Sequence, residues 1–192
     1  MDILLVVLQL GFVSYVAARL AWRSSDREKR SAGILTEIEA GTRRPALALH
    51  AAGALLLMVS IAFALVQGRV SRGVGVRGVL GALLMVCAGL LMTWAIAELR
   101  SWRLLPDIDA DHELCTTGPY GLVRHPMYLA LDLLGIAAAV WVATAPALLA
   151  AVLLVVGGDL RARLEEAVLL DAFGDRYREY MRSVGRTATF LS

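Results

Sequence analysis

The fold class predicted by this sequence is all-α: an integral membrane bundle of about five transmembrane helices. The last two form a tight hairpin, and a cytoplasmic loop and a C-terminal amphipathic helix complete it. Three observations carry the prediction. Hydrophobic residues make up 58% of the 192 residues, where soluble domains run at about 45–50%. Mean hydropathy is +0.66. Several apolar stretches also reach the roughly 20 residues that one crossing of a hydrocarbon core about 30 Å thick requires. The formal charge is only +2, and no basic block is dense enough for nucleic acid. Membrane lipids are therefore the expected surroundings, and nucleic acid is not an expected partner.

The first span is Ile3 to Trp22. Asp2 precedes it and no basic n-region does, so it reads as a retained helix rather than a signal peptide. A polar loop follows with Arg23, Arg27, Lys29, Arg30, Arg43 and Arg44. The second span is expected from Pro45, a good first helical residue, to about Val66. A short loop holds Arg69 and Arg72, and the third span covers about Val76 to Ala97. Residues 1–97 thus form one unit of three spans and 98–192 a second, more polar unit.

The second unit opens on a long connection, Glu98 to His125, which exceeds an ordinary helix–helix link. Long structured connections tend to carry function. Beyond it, Pro126 to Gly158 is apolar apart from Asp132. One helix of that length overshoots a bilayer, and Thr144-Ala145-Pro146 lies near its middle. The expectation is a hairpin of two rather short arms, about 127–143 and 146–163. The tail carries arginines 161, 163, 176, 178, 182 and 186. Positively charged loops stay in the cytoplasm, so five spans put the first loop, the motif loop and the tail on that side, with the N-terminus outside. The tail's Leu164, Val168, Leu169, Phe173, Tyr177, Tyr180 and Met181 recur at helical spacing, with Gly174 a break. Such a tail lies on the membrane surface or folds back over the motif loop. The arginine bias (Lys29 is the only lysine) fits a bacterial inner membrane.

The stretch "TTGPYGLVRHPMYLA" concentrates the candidate chemistry. His125 precedes a proline, which pushes it out of the helical region and ends the loop. Pro126 then opens a helix whose free N–H groups and dipole favour an anion. Arg124, His125 and Tyr128 add donors around that corner, a setting for a ligand carboxylate. Gly118 and Gly121 permit a tight bend or close approach to a ligand. Glu165 and Glu166 point about 100° apart on a helix, so one is expected to face a ligand and the other to brace an arginine. Arg161 stands at salt-bridge spacing from Glu165. Asp132, a carboxylate two turns inside an apolar helix, is a functional-site hypothesis by default. His112, Cys115 and His125 lack the spacing of a zinc site, and no metal is expected. No phosphate loop or dinucleotide fingerprint is present.

"DHELCTTGPYGLVRHPMYLA", followed about 35 residues later by "RARLEEAVLLDAFGDRYREYMRSVGR", resembles the isoprenylcysteine carboxyl methyltransferase family, itself similar in its C-terminal half to the phospholipid N-methyltransferases. The shared elements are Gly-Pro-Tyr, Arg-His-Pro-x-Tyr, a short apolar hairpin, Arg-x-x-x-Glu-Glu and Phe-Gly-x-x-Tyr-x-x-Tyr, over roughly residues 94–186. The resemblance implies a membrane enzyme that uses S-adenosylmethionine, releases S-adenosylhomocysteine and methylates a lipophilic acceptor, an isoprenoid-like carboxylate or another lipid. It implies a cytoplasmic cofactor pocket lined by His112, Leu114, Gly118, Tyr120, Arg124, His125, Pro126, Tyr128, Glu165 and Glu166, with Arg161, Glu165 and Glu166 as catalytic candidates. A carboxylate acceptor needs no base and would be held by Arg161. An amine or hydroxyl needs one, such as Glu165, Glu166 or Asp132. The chain departs from the family at its end, "GRTATFLS", where members often carry an Arg-Phe-x-Pro-like segment. Two other readings stand beside this one. A membrane NADPH-dependent sterol or enone reductase would call for extra basic residues, and 104–123 hold none. A non-catalytic membrane protein would keep only a degenerate pocket.

Overall fold

The computed structural model describes residues 37–68, 75–99 and 114–186, with side chains in the first helix from residue 45 onward. The first span, the first loop up to residue 36, Arg69, Arg72 and His112 lie outside the described residues. Among those described, all regular structure is helical: α1 (Glu37–Val66), α2 (Val76–Glu98), a 3-10 turn (Gly118–Gly121), α3 (Pro126–Val142), α4 (Ala145–Phe173) and α5 (Asp175–Ser183). Three of them, over Pro45–Val66, Val76–Glu98 and Ala145–Phe173, are long and apolar enough to cross a membrane, and α3 is a shorter apolar helix. The protein is an all-α integral membrane bundle.

Two boundaries differ from the sequence expectation. α1 begins at Glu37, so Pro45 sits inside the helix and not at its first position. Glu37, Glu39 and Ala40 are good helix formers and the helix continues back past the proline, although an interior proline loses one backbone hydrogen bond and crowds the carbonyl four residues earlier. The second arm of the hairpin is 29 residues long, about 44 Å at roughly 1.5 Å per residue. It does not end near residue 163, because Arg161 to Leu170 contains no helix breaker. The charged part of the expected tail is thus the continuation of α4. The hairpin turn falls where the sequence placed it. Ala143 takes a left-handed φ of 49°, and Thr144 caps α4 by accepting from Ala147 N–H at 3.4 Å. Gly174, with φ of +54°, ends α4 and starts α5.

The helices pack in the order α1–α4–α3–α2. Their seams are built from alanine and glycine. Ala88, Ala137, Ala138, Ala147 and Ala150 are wholly enclosed, while Leu55, Phe63, Leu83, Leu90 and Leu148 face outward. Lipid tails are as apolar as these side chains, so close backbone approach, rather than expulsion of grease from water, favours association. At Gly53 an added Cβ would stand 3.0 Å from Leu154 N of α4. A side chain there would force α4 to give by a few tenths of an ångström.

Candidate functional site

The site is assembled at the charged end of the bundle, where α2 stops, α3 starts and α4 runs on. Its first wall is the 3-10 turn. Thr117 Oγ1 donates to Glu98 Oε1 at 2.6 Å, tying the turn to the last residue of α2. Gly118 has φ of +57°, and a Cβ there would lie 2.8 Å from Glu98 Cδ. The left-handed backbone therefore favours glycine, and the Glu98 side chain lies close against it. Tyr120 N–H bonds Thr117 O at 3.1 Å, and Pro119 is fully buried. Leu114 is half-buried at the start of this segment.

The second wall is an ionic joint. Arg124 donates from Nε to Glu166 Oε1 at 2.8 Å and from Nη1 to Met181 O at 3.0 Å and to Val184 O. Arg186 donates from Nε to Glu166 Oε2 at 2.8 Å and lies 3.5 Å from Asp159, which also pairs with Arg163 at 2.8 Å. His125 Nε2 stands 3.4 Å from Glu166 Oε1. The Arg124 and Glu166 side chains are only 7% and 4% exposed. A buried carboxylate is tolerated when paired and hydrogen-bonded, and two guanidinium groups meet that condition. The 184–186 segment closes over the joint: Arg124 N–H donates to Gly185 O at 2.9 Å and His125 N–H to Arg186 O at 3.1 Å. Of the two placements open to the tail, this segment takes the one folded back on the motif loop.

The two glutamates divide as their angular separation requires. Glu166 is the brace. Glu165 is 33% exposed, with Oε2 3.7 Å from His125 Nδ1. Among the described residues no ion pair joins Arg161 to Glu165. Arg161 instead lies over the Tyr128 ring at 5.2 Å, and that ring is 5.7 Å from the His125 ring. Pro126 opens α3 as expected and is fully buried, with His125 as the N-cap residue.

Two buried polar atoms here, Tyr120 OH and Tyr177 OH, have no hydrogen-bond partner, while His125 Nε2 faces Glu166 Oε1. Tyr180 instead donates to Tyr120 O. Burial raises the pKa of all three phenols above the usual tyrosine range. Cys115 adds to this at Tyr120 and Tyr180, and Glu166 at Tyr177. They stay protonated and serve as neutral donors. Tyr120 and Tyr177 share the electrostatic neighbourhood of Glu165. Unpartnered polar groups in an enclosed corner, beside a part-exposed carboxylate and a helix N-terminus, suit a ligand carrying both charges and hydroxyl groups.

Glu98, Asp159 and Arg186 are structural parts of the site that sequence reasoning did not single out. The Asp159–Arg163 spacing of four was a readable signal for one pair. No local signal marks Arg186, whose partner is 20 residues away. Against known proteins, the family model described as phospholipid methyltransferase matches residues 76–176, more than half of the chain. No curated protein matches it.

Proposed function

This chain belongs to the phospholipid methyltransferase family, and we propose that it is an S-adenosylmethionine-dependent enzyme that methylates a lipophilic acceptor within the membrane. The observation that carries the proposal is the pair of enclosed, unpartnered phenols, Tyr120 OH and Tyr177 OH, together with Glu165 beside His125. The residues fit the cofactor's chemistry. His125 and the first turn of α3 offer donors for a carboxylate, and Glu165 offers an acceptor for an ammonium or ribose hydroxyl. Bound there, the cofactor supplies an electrophilic methyl on sulfur. Transfer of that group needs positioning more than acid–base help. Glu166, Arg124 and Arg186 hold the walls, and the 184–186 strap excludes water from the corner. Leu114, Gly118, Tyr120, Pro126 and Tyr128 complete the lining in this reading. The N-terminal spans of 1–97 serve as membrane scaffold and 98–192 as the catalytic half, on the cytoplasmic side, with the acceptor entering laterally between helices.

Calorimetry of the detergent-purified protein tests this. S-adenosylhomocysteine is expected to bind in the micromolar range, roughly 8 kcal/mol, and NADPH not to bind. Binding of NADPH alone would point to the reductase reading and sink this one. Binding of neither would favour a degenerate pocket. Glu165→Gln should weaken S-adenosylhomocysteine by about tenfold, the scale of one charge-assisted hydrogen bond; unchanged affinity removes Glu165 from the pocket.

A further inference from the structure

α5 is nine residues long. Isolated helices shorter than about 12–15 residues are marginal in water, so its place depends on what it docks against. Its two buried side chains are Tyr177 and Tyr180, 1% and 7% exposed. Their rings pack edge to face with centroids 5.8 Å apart. They differ at the hydroxyl. Tyr177 OH has no hydrogen-bond partner, whereas Tyr180 OH donates to the backbone oxygen of Tyr120. Tyr120 keeps its own hydroxyl enclosed and unpartnered. Of the three phenols, one is thus engaged by the backbone and two are not. The residue after Tyr180, Met181, holds Arg124 through its backbone oxygen at 3.0 Å, so α5 grips both walls of the corner.

The bond from Tyr180 reaches one end of the 3-10 turn, and Glu98 of α2 holds the other. Thr117 Oγ1 donates to Glu98 Oε1 at 2.6 Å, and Gly118 lies against the Glu98 side chain. Between these fixings the turn is closed by three internal bonds of 3.1 Å: Tyr120 N–H to Thr117 O, and Leu122 N–H and Val123 N–H to Pro119 O. A 3-10 turn has poorer hydrogen-bond geometry than an α-helix, and glycine at each end, Gly118 and Gly121, leaves the backbone permissive. Such a turn does not fix the direction of the Tyr120 side chain by itself. The two outside holds do.

We propose that Tyr180 and Glu98 are positioning residues of the cofactor corner: from α5 and from α2 they clamp the 3-10 turn so that the Tyr120 hydroxyl meets the ligand. The inference rests on the methyltransferase reading above and deepens it. Neither residue touches the ligand in this scheme. Without its hydroxyl, Tyr180 leaves the enclosed Tyr120 carbonyl short of a partner, and the turn relaxes to find another. A donor held in place before binding loses less freedom on binding than one that must first be ordered, so a relaxed turn binds more weakly. Tyr180 lies beyond the family match, which ends at residue 176. That side of the clamp therefore stands outside the matched part of the chain.

Two measurements on the detergent-purified full chain test the clamp, in wild type, Tyr180→Phe, Glu98→Ala and Glu98→Gln. The first, without ligand, is hydrogen exchange at the Tyr120, Leu122 and Val123 amides, which report the turn. The second is S-adenosylhomocysteine affinity by calorimetry. Tyr180→Phe should accelerate those amides and weaken the ligand, each by about tenfold, the scale of one lost buried hydrogen bond. Glu98→Ala should do the same by about threefold, because the Thr117 bond is exposed and water replaces part of it. Glu98→Gln keeps an acceptor oxygen for Thr117 and should restore both values. Unchanged exchange in Tyr180→Phe and Glu98→Ala overturns the clamp. Faster exchange with unchanged affinity overturns its positioning of Tyr120, and failure of glutamine to restore affinity removes Glu98 from it. Should Tyr180→Phe not fold, the alanine and glutamine variants of Glu98 decide. Wild type that binds no S-adenosylhomocysteine refutes the cofactor reading, while the exchange rates still decide whether the turn is clamped.

Discussion

Replacing Glu166 by glutamine keeps the shape of the joint and removes the charge that Arg124 and Arg186 share. The carboxylate accepts from Arg124 and Arg186, each at 2.8 Å. Its side chain is 4% exposed, and those of Arg124 and Arg186 are 7% and 17% exposed. Removing one partner of a buried ion pair costs about 3–5 kcal/mol. Glutamine retains one acceptor oxygen and Arg186 keeps some water contact, which places the loss near the lower end, about 3 kcal/mol. The apolar helices do not depend on this joint, so the loss should appear as detachment of the strap rather than as unfolding. The amides of Arg124 and His125 report it directly, because they donate to Gly185 O and Arg186 O. At about 1.4 kcal/mol per tenfold, their hydrogen exchange should accelerate by roughly 100-fold. Glu165→Gln, at a part-exposed position 3.7 Å from His125, should leave those amides unchanged. Acceleration of less than about threefold in Glu166→Gln would refute the view that this joint fastens the 184–186 segment.

Gly118→Ala combines a left-handed φ with a Cβ 2.8 Å from Glu98 Cδ; the backbone part alone costs about 1–2 kcal/mol. The unfolding midpoint in detergent should fall, and Glu98→Ala in the same chain should recover the steric part only; an unchanged midpoint for the single variant would count against the described turn. Gly157→Val, which drives a branched side chain into the His50 backbone, should separate α1 from α4 and abolish recovery of folded protein, whereas Gly75→Val, in open space, should be tolerated. Tyr120, Tyr177 and Tyr180 have raised pKa values with burial as the leading cause, so the folded state binds their protons more tightly than the unfolded state. Their contribution to stability is complete below the unfolded value of about 10 and is lost as pH rises above it. Tyrosinate absorbance should show these phenols titrating only with unfolding; their titration in the intact fold would contradict the described burial.

What was legible in the sequence was punctuation. Pro126, Thr144 to Pro146 and Gly174 mark helix limits because each acts through its own backbone, and the structure places a limit at each. Polarity was less reliable as a boundary. The second arm was expected to end near residue 163, where charged residues begin, yet polarity does not end a helix whose residues are good helix formers, and it runs to Phe173. Pro45 misled because a proline disfavours but does not forbid an earlier helical turn, and α1 runs through it. The partners of Arg124 lie 42, 57 and 60 residues away, and no periodicity encodes such distances. The sequence motif marked Arg124 as a cation near an anion corner; the fold shows that its Nε and Nη1 are already occupied.

That occupancy decides how the corner can work. With Arg124 engaged by Glu166 and two carbonyls, the free capacity passes to His125, to the helix start beneath it and to the unpartnered phenols. The family match ends at residue 176, inside α5, whereas Arg186 and the carbonyls that hold Arg124 and His125 lie beyond it. Arg124, His125, Glu165 and Glu166 therefore belong to the matched region, while Tyr177, Arg186 and the carbonyls that hold Arg124 and His125 follow it. Because Glu165 and Glu166 diverge by about 100°, one helix turn serves both purposes. Fastening the strap through Glu166 fixes the α4 backbone from which Glu165 reaches into the corner, so a change in the strap should be felt as a change in ligand affinity before it is felt as a loss of fold.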